Sequence, residues 1–238
     1  MEGSAVVLGA GALGASAALT LASAGVARLV LVDGDPVEPA DLGASALLAE
    51  ADLGAVRAAA AAARLRALLP GVQVVVHEVP ITAANVLELL RGASVALAGM
   101  ADLGAQFLAG DAALRAGVPL VAGGVLRTTA QIVTVRPGGW GGCLRCLFEA
   151  PPPAGVVPSG RDAGVLGPVA MLAGALMGAE ALRLLTAEHG SYEGRLFVYD
   201  ARSARARVVS VPRRADCPAC NGAQALEPGT ASSSAEVP

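Results

Sequence analysis

The chain contains no lysine: all 17 of its basic residues are arginine, set against 20 acidic residues in a length of 238. Side-chain chemistry that needs an amine able to lose its proton or form a Schiff base is thereby excluded, and every cationic role falls to a guanidinium. No stretch approaches eighteen consecutive large apolar residues, because Ala and Gly supply much of the 54% hydrophobic content, so no membrane span is expected. Net charge is −3 with no long basic run, which argues against nucleic acid as a standing partner. The N-terminus has no basic segment ahead of its first apolar run, so we expect no signal peptide and a cytoplasmic protein. The two histidines, His77 and His189, have no partner at a ligand-like spacing and read as structural or exposed.

What the chain does have begins with Val6-Val7-Leu8-Gly9-Ala10-Gly11-Ala12-Leu13-Gly14 and closes with Val30-Leu31-Val32-Asp33. An apolar run ending in G-x-G-x-x-G, an Ala-rich amphipathic stretch and a second apolar run ending in Asp describe a strand, tight turn, helix and strand that together bind a nucleotide. Gly9 permits the turn, Gly11 lets backbone approach phosphate, and Gly14 lets the helix pack close to the strand. Phosphate would lie at the helix N-terminus, where unpaired N–H groups and the positive dipole end favour anions. Asp33, nineteen residues after Gly14, is placed to accept from ribose hydroxyls. With Asp35 in the Pro-punctuated loop that follows, it could also hold a magnesium ion.

Further along, helices are expected at 51–69, at 83–90 behind a Thr82 cap, at 108–116 and at 167–186. Strands are expected at 73–76, 95–98, 119–124 and 131–136, the last antiparallel to its neighbours, with a hairpin of 195–200 and 207–211. Helix 167–186 is apolar on most sides and should be buried, against the rest of the chain or a second subunit. The alternation implies an α/β fold with a doubly wound, mainly parallel sheet extended by C-terminal antiparallel strands. One domain would cover 1–222, with a mobile Pro/Gly-rich loop at 149–162 and a disordered tail at 223–238.

The four cysteines fall as two C-x-x-C pairs, Cys143 with Cys146 and Cys217 with Cys220, 70 residues apart. Two such turns brought together offer four thiolates in the tetrahedral shell that Zn²⁺ prefers, a closed structural site. Disulfides do not suit the expected cytoplasmic setting, and a redox C-x-x-C would not come twice outside a thioredoxin-like unit.

A Rossmann-like nucleotide half followed by paired C-x-x-C motifs resembles the ThiF/MoeB family, the bacterial relatives of ubiquitin-activating enzymes, from about Ala5 to Cys220. The resemblance is carried by Gly9 to Gly14, by residues 21–26, 31–37, 119–123, 164–168 and 199–201, and by both cysteine pairs. It implies ATP–Mg²⁺ binding, adenylation of the C-terminal Gly-Gly carboxylate of a small ubiquitin-like sulfur carrier, a structural zinc and a homodimer. Nucleotide binding would fall to Gly9, Gly11, Ala12, Gly14, Asp33, Asp35 and Arg57, with Arg57 and Asp102 as the catalytic pair and Asp102 the metal ligand. The partner's tail would cross at 149–162. Several positions depart from the family pattern. Asp41-Leu42-Gly43-Ala44-Ser45 stands where Asn-Leu-x-Arg-Gln is usual, Arg57 replaces a phosphate-binding lysine, and Met100-Ala101-Asp102 replaces Thr-Asp-Asn. No cysteine lies near Ser159-Gly160-Arg161, so a thioester on this chain is not expected. A non-catalytic scaffold with the same fold is the second reading, and a nicotinamide-dependent oxidoreductase, suggested by the Gly motif alone, the third.

Overall fold

The computed structural model describes residues 3–153, 156–157, 160–186 and 189–221. The expected tail at 223–238, Ser159 and part of the expected loop at 149–162 therefore lie outside the described residues.

Strand β1 (Ser4–Leu8), helix α1 (Ala12–Ser23) and strand β2 (Arg28–Val32) form the N-terminal unit, with β1 and β2 parallel and paired Ser4 to Arg28 through Leu8 to Val32. Their apolar runs are continuous because both sheet faces are covered. Ala5 and Val7 of β1, and Leu29 and Leu31 of β2, join one core, whereas Val6, Leu8, Val30 and Val32 join another on the opposite face. With β3 (Gln73–His77), β4 (Val95–Ala98), β5 (Leu120–Leu126), β6 (Thr129–Val135), β7 (Arg195–Asp200) and β8 (Arg205–Ser210), these strands make one eight-stranded sheet. Its order is β3-β2-β1-β4-β5-β6-β7-β8; β3 to β5 are parallel, and β6, β7 and β8 continue it antiparallel. The chain works outward from β1 through β2 to β3 and then returns to place β4 on the other side of β1. The carboxyl ends of β1 and β4 thus flank a topological switch point, the place where open α/β sheets take their ligands.

The first core lies between the sheet and α1 with α8 (Gly167–Thr186). Helix α8 is long and apolar enough to cross a membrane by length and composition, but Val169, Ala170, Ala173, Met177 and Ala181 are buried inside the fold. Its approach to α1 is close: a Cβ on Gly174 would overlap the Leu13 carbonyl oxygen, and one on Gly178 would press on the Thr20 side chain. The Ser16 hydroxyl donates to the Met171 carbonyl across the seam at 2.7 Å. The helix is thus covered by its own chain on the α1 side.

The second core is roofed by α5 (Leu103–Ala116). Shorter helices are α2 (Pro39–Leu42), α3 (Arg57–Leu68), α4 (Val86–Leu89), α6 (Leu144–Leu147) and α7 (Gly160–Ala163). Three expected helices change length. The one at 51–69 begins only at Arg57, because 50–52 closes a 3-10 turn and Gly54 takes a left-handed φ of 82°. The helix expected at 83–90 shrinks to α4: Asn85, not Thr82, precedes it, and the Asn85 side chain is spent on the Thr82 N–H and the Pro80 carbonyl. Such local bonds compete with a helical turn. Conversely α5 starts five residues before 108, since Asp102 caps it by accepting the Ala105 N–H at 2.9 Å.

Candidate nucleotide and metal sites

The Gly-rich turn leaves β1 at the switch point. Gly9 adopts φ 88°, closed to most side chains, while its N–H donates to the Val32 carbonyl at 2.8 Å and ties the turn to β2. Gly14 sits over that turn so closely that a Cβ would overlap the Gly9 carbonyl oxygen. A Cβ on Gly11, in contrast, would meet nothing within 4 Å. Gly11 precedes α1, and no side chain caps that helix, so the amides of its first turn, starting at Ala12, face the opening. The turn is therefore tight at Gly14, where helix meets strand, and open at Gly11, where an anion would approach the helix N-terminus.

Asp33 follows β2 and is 7% exposed. Its Oδ2 accepts the Ala10 N–H at 2.8 Å, and its Oδ1 accepts the Asp35 N–H at 2.9 Å and Arg57 Nη2 at 3.2 Å. Arg57 Nη2 also donates to Asp35 Oδ2 at 2.5 Å, and Nη1 lies 3.5 Å from Asp41 Oδ1. One guanidinium is thus shared by three carboxylates. Burial works against the Arg57 charge, but Asp33, Asp41 and Asp35 outweigh it and hold the group more firmly protonated. Arg57 Nε is 3.1 Å from Asp33 Oδ2 but bent off it, and its N–H has no hydrogen-bond partner among the described residues. A contact so bent carries an ion-pair attraction but little hydrogen-bond energy.

Asp102 lies at the same edge, beyond the carboxyl end of β4. It is exposed and its helix cap uses Oδ1, and a carboxylate is a hard oxygen donor of the kind Mg²⁺ takes. Beneath it the buried Gln106 donates through Nε2 to the carbonyls of Met100 and Gly123, at 2.5 and 3.1 Å, and so fixes the loop that presents Asp102. The structure therefore brings Gly9, Gly11, Ala12, Gly14, Asp33, Asp35 and Arg57 to one edge of the sheet with Asp102. Asp41 joins them, although no motif marks it; its signal is only a carboxylate at the start of a short helix.

The four cysteines, far apart in the chain, meet on the α5 face. Their sulfurs all lie within 4.8 Å of one another: Cys143 to Cys217 is 3.5 Å, Cys146 to Cys220 3.5 Å, and Cys143 to Cys146 3.9 Å. Four thiolates around Zn²⁺ at its usual bond length would be about 3.8 Å apart, so the donor set fits that ion with little movement. Burial opposes the Cys217 thiolate, yet N–H groups at Cys220 and Ala219 and the neighbouring thiols outweigh it and bring that thiol down to about 7. Burial pushes the Cys143 and Cys220 thiols up. The Arg214 N–H donates to Cys146 Sγ at 3.4 Å. Between the first pair, Arg145 grips the buried Asp111 of α5 through Nε at 3.0 Å and Nη2 at 2.7 Å, which locks the cysteine turn to the helix. A small cavity beside Cys220 is bordered by Leu114, near the opposite end of α5 from Asp102, so the cysteine site stands apart from the nucleotide edge.

The model of the ThiF family matches residues 2–219. A sulfur carrier protein adenylyltransferase of Thermus thermophilus is 38% identical over 221 residues, which cover 91% of this chain and 82% of that protein. The adenylyltransferase and sulfurtransferase MOCS3 of Bos taurus is 40% identical over 216 residues, 90% of this chain but only 47% of its own length. Among solved structures, E. coli MccB with ATP superposes with a TM-score of 0.81 at 17% identity, covering 92% of this chain and 67% of that one, a likeness of fold. The matched residues take in the Gly-rich turn, the Asp33–Arg57 cluster and all but the last of the four cysteines, and on that span the chain belongs to the ThiF family.

Proposed function

We propose that the chain is an ATP-dependent adenylyltransferase that activates the C-terminal carboxylate of a small ubiquitin-like sulfur-carrier protein ending in Gly-Gly, acting as a cytoplasmic homodimer. The observation that carries this reading is the Gly-lined turn at the switch point, where a Cβ on Gly11 would meet open space, with a cation and carboxylates beside it, in a chain so similar to a sulfur carrier protein adenylyltransferase. A carboxylate oxygen of the carrier attacks the α-phosphorus of ATP, the bond from that phosphorus to the bridging oxygen breaks, and pyrophosphate leaves with the electron pair.

The amides at the start of α1 bind phosphate oxygens, and Arg57 neutralises charge that builds on the leaving pyrophosphate. Asp33 orients the turn and the ribose side of the site. Asp102 and Asp35 are the residues that would hold Mg²⁺, which supplies phosphate charge neutralisation when bound. Holding the reactants in line contributes most of the rate, because little covalent work is asked of the protein. The four cysteines would hold a structural Zn²⁺, which would tie the segment after β8 to α6 and its N-cap and so convert ligand binding into folding free energy.

The test is ATP–pyrophosphate exchange with purified carriers ending in Gly-Gly, run beside thermal stabilisation by ATP–Mg²⁺ and by NAD. Carrier-dependent exchange and an ATP shift are expected; an NAD shift without an ATP shift would overturn the reading. A non-catalytic scaffold is the second reading, favoured by Ala101 and by the grip of three carboxylates on Arg57. Nucleotide binding without exchange, with every Gly-Gly carrier tried, is its expected signature.

A further inference from the structure

We propose that Asp41 is a positioning residue for Arg57. In the free protein it holds the guanidinium against Asp33 and Asp35, and it must let go when polyphosphate arrives, so Asp41 sets how strongly nucleotide binding depends on a divalent cation. This rests on the nucleotide reading above.

Three features of the cluster lead there. The first is charge: three carboxylates share one guanidinium, so the edge that should receive a polyanion is net negative. A nucleotide whose phosphates are already neutralised by a divalent cation meets far less repulsion than a free one. The second is the Nε–H of Arg57, a buried donor 3.1 Å from Asp33 Oδ2 but too bent toward it to hydrogen-bond, with no other partner among the described residues. Carboxylates crowd the guanidinium without saturating it, so one donor stays ready for an acceptor that the described residues do not supply.

The third is a difference in freedom among the carboxylates. Asp33 is buried and committed to Ala10 and Asp35, while the Asp35 side chain is 61% exposed and able to follow Arg57. The Asp41 side chain is 14% exposed, and its Oδ2 is pinned by the Glu38 N–H at 2.9 Å within α2. When Arg57 moves toward phosphate, Asp33 and Asp41 both stay behind, but each Asp33 oxygen keeps a backbone N–H donor whereas Asp41 Oδ1 gives up its ion pair. The Asp41 contact is the one whose loss goes uncompensated.

Asp41→Asn tests this, since the amide oxygen can still accept the Glu38 N–H while the charge on Arg57 is lost. ATP is titrated into wild type and variant twice, once with EDTA and once with excess Mg²⁺. The variant is expected to bind metal-free ATP about tenfold tighter, and Mg²⁺–ATP by a much smaller factor. Unchanged or weaker binding of metal-free ATP would overturn the proposal, and weakening confined to Mg²⁺ would make Asp41 a metal ligand instead. A cycle of Asp41→Asn and Arg57→Gln, read by urea unfolding without nucleotide, is expected to be non-additive; additivity sinks the clamp whatever ATP does. If wild type and variant both ignore ATP, the nucleotide reading itself falls, and this inference with it.

Discussion

The Asp33 carboxylate, at the end of β2, accepts the backbone N–H of Ala10 at 2.8 Å and so fastens the Gly-rich turn after β1 to the neighbouring strand. The residue expected to meet a ribose is also a bolt in the turn that would hold the phosphates. Asp33→Ala should cost about 2–4 kcal/mol, because it strands a buried N–H and removes one of the carboxylates that face Arg57. Asp33→Asn, which can keep the Ala10 bond, should lose less. Urea unfolding of the two variants checks the order, and equal losses would mean that the Ala10 bond contributes little.

Gly11 and Gly14 should separate ligand binding from folding. A Cβ on Gly14 would overlap the Gly9 carbonyl, so Gly14→Ala should destabilise the fold or prevent expression. Gly11 has an ordinary φ of −72° and open space around it, so Gly11→Ala should leave the melting temperature nearly unchanged. The methyl group would instead stand where phosphate approaches, and ATP affinity should fall roughly tenfold or more, about 1.4 kcal/mol. Calorimetric titration with ATP decides, and an unaltered affinity would remove Gly11 from the phosphate site.

Metal analysis should find one zinc per chain, and Cys217→Ser or a strong chelator should remove it and lower stability by several kcal/mol. The loss should be largest around 141–147 and 212–220, because Gly142 N–H to Val211 O and the Gly141–Pro212 bridge join the two cysteine segments. Hydrogen exchange with and without chelator would locate it. Because metal binding needs thiolates, zinc should be held more weakly as pH falls: protons on the Cys143 and Cys220 thiols, pushed up by burial, compete with the ion already in the neutral range, and Cys217, brought down to about 7, adds to that competition below it. A chelator-treated protein with unchanged exchange in those segments would show that the metal is dispensable to the fold.

Glu180 is fully buried on α8 and accepts from the Thr134 hydroxyl at 2.7 Å, Arg183 Nε at 2.9 Å and the N–H groups of Ser191 and Tyr192 at 3.0 and 2.8 Å. It ties α8 to β6 and to the segment entering β7. Glu180→Ala should cost about 2–3 kcal/mol, since it strands the buried Thr134 hydroxyl and cuts the tie to Tyr192, while Ser191 and Arg183 can turn to water. Thermal unfolding measures it, and a loss under 1 kcal/mol would mean that water replaces the carboxylate.

Some of this was legible in residue order alone. Strands β1, β2 and β4 read as unbroken apolar runs because burial on both faces removes any reason for polar alternation. The Gly spacing announced the turn, since each glycine answers a local steric demand, and the two C-x-x-C pairs announced a four-sulfur cluster. Short and irregular pieces were harder. Helix α4 is shorter than propensity predicts because the competing bonds of Asn85 are invisible to helix propensity, and α5 begins before 108 because Asp102 caps it. Asp41 was counted only as a missing asparagine.

The sequence by itself determined what is local: the strand-turn-helix unit, the Gly positions that must lack a Cβ, the thiol pairs and the replacement of every lysine by arginine. Tertiary structure alone decided which of the charged groups meet. Arg57, Asp33, Asp35 and Asp41 form one cluster because β2, α2 and α3 converge there. An ion pair depends on separation and burial in space, and neither is encoded in the spacing of charges along a chain.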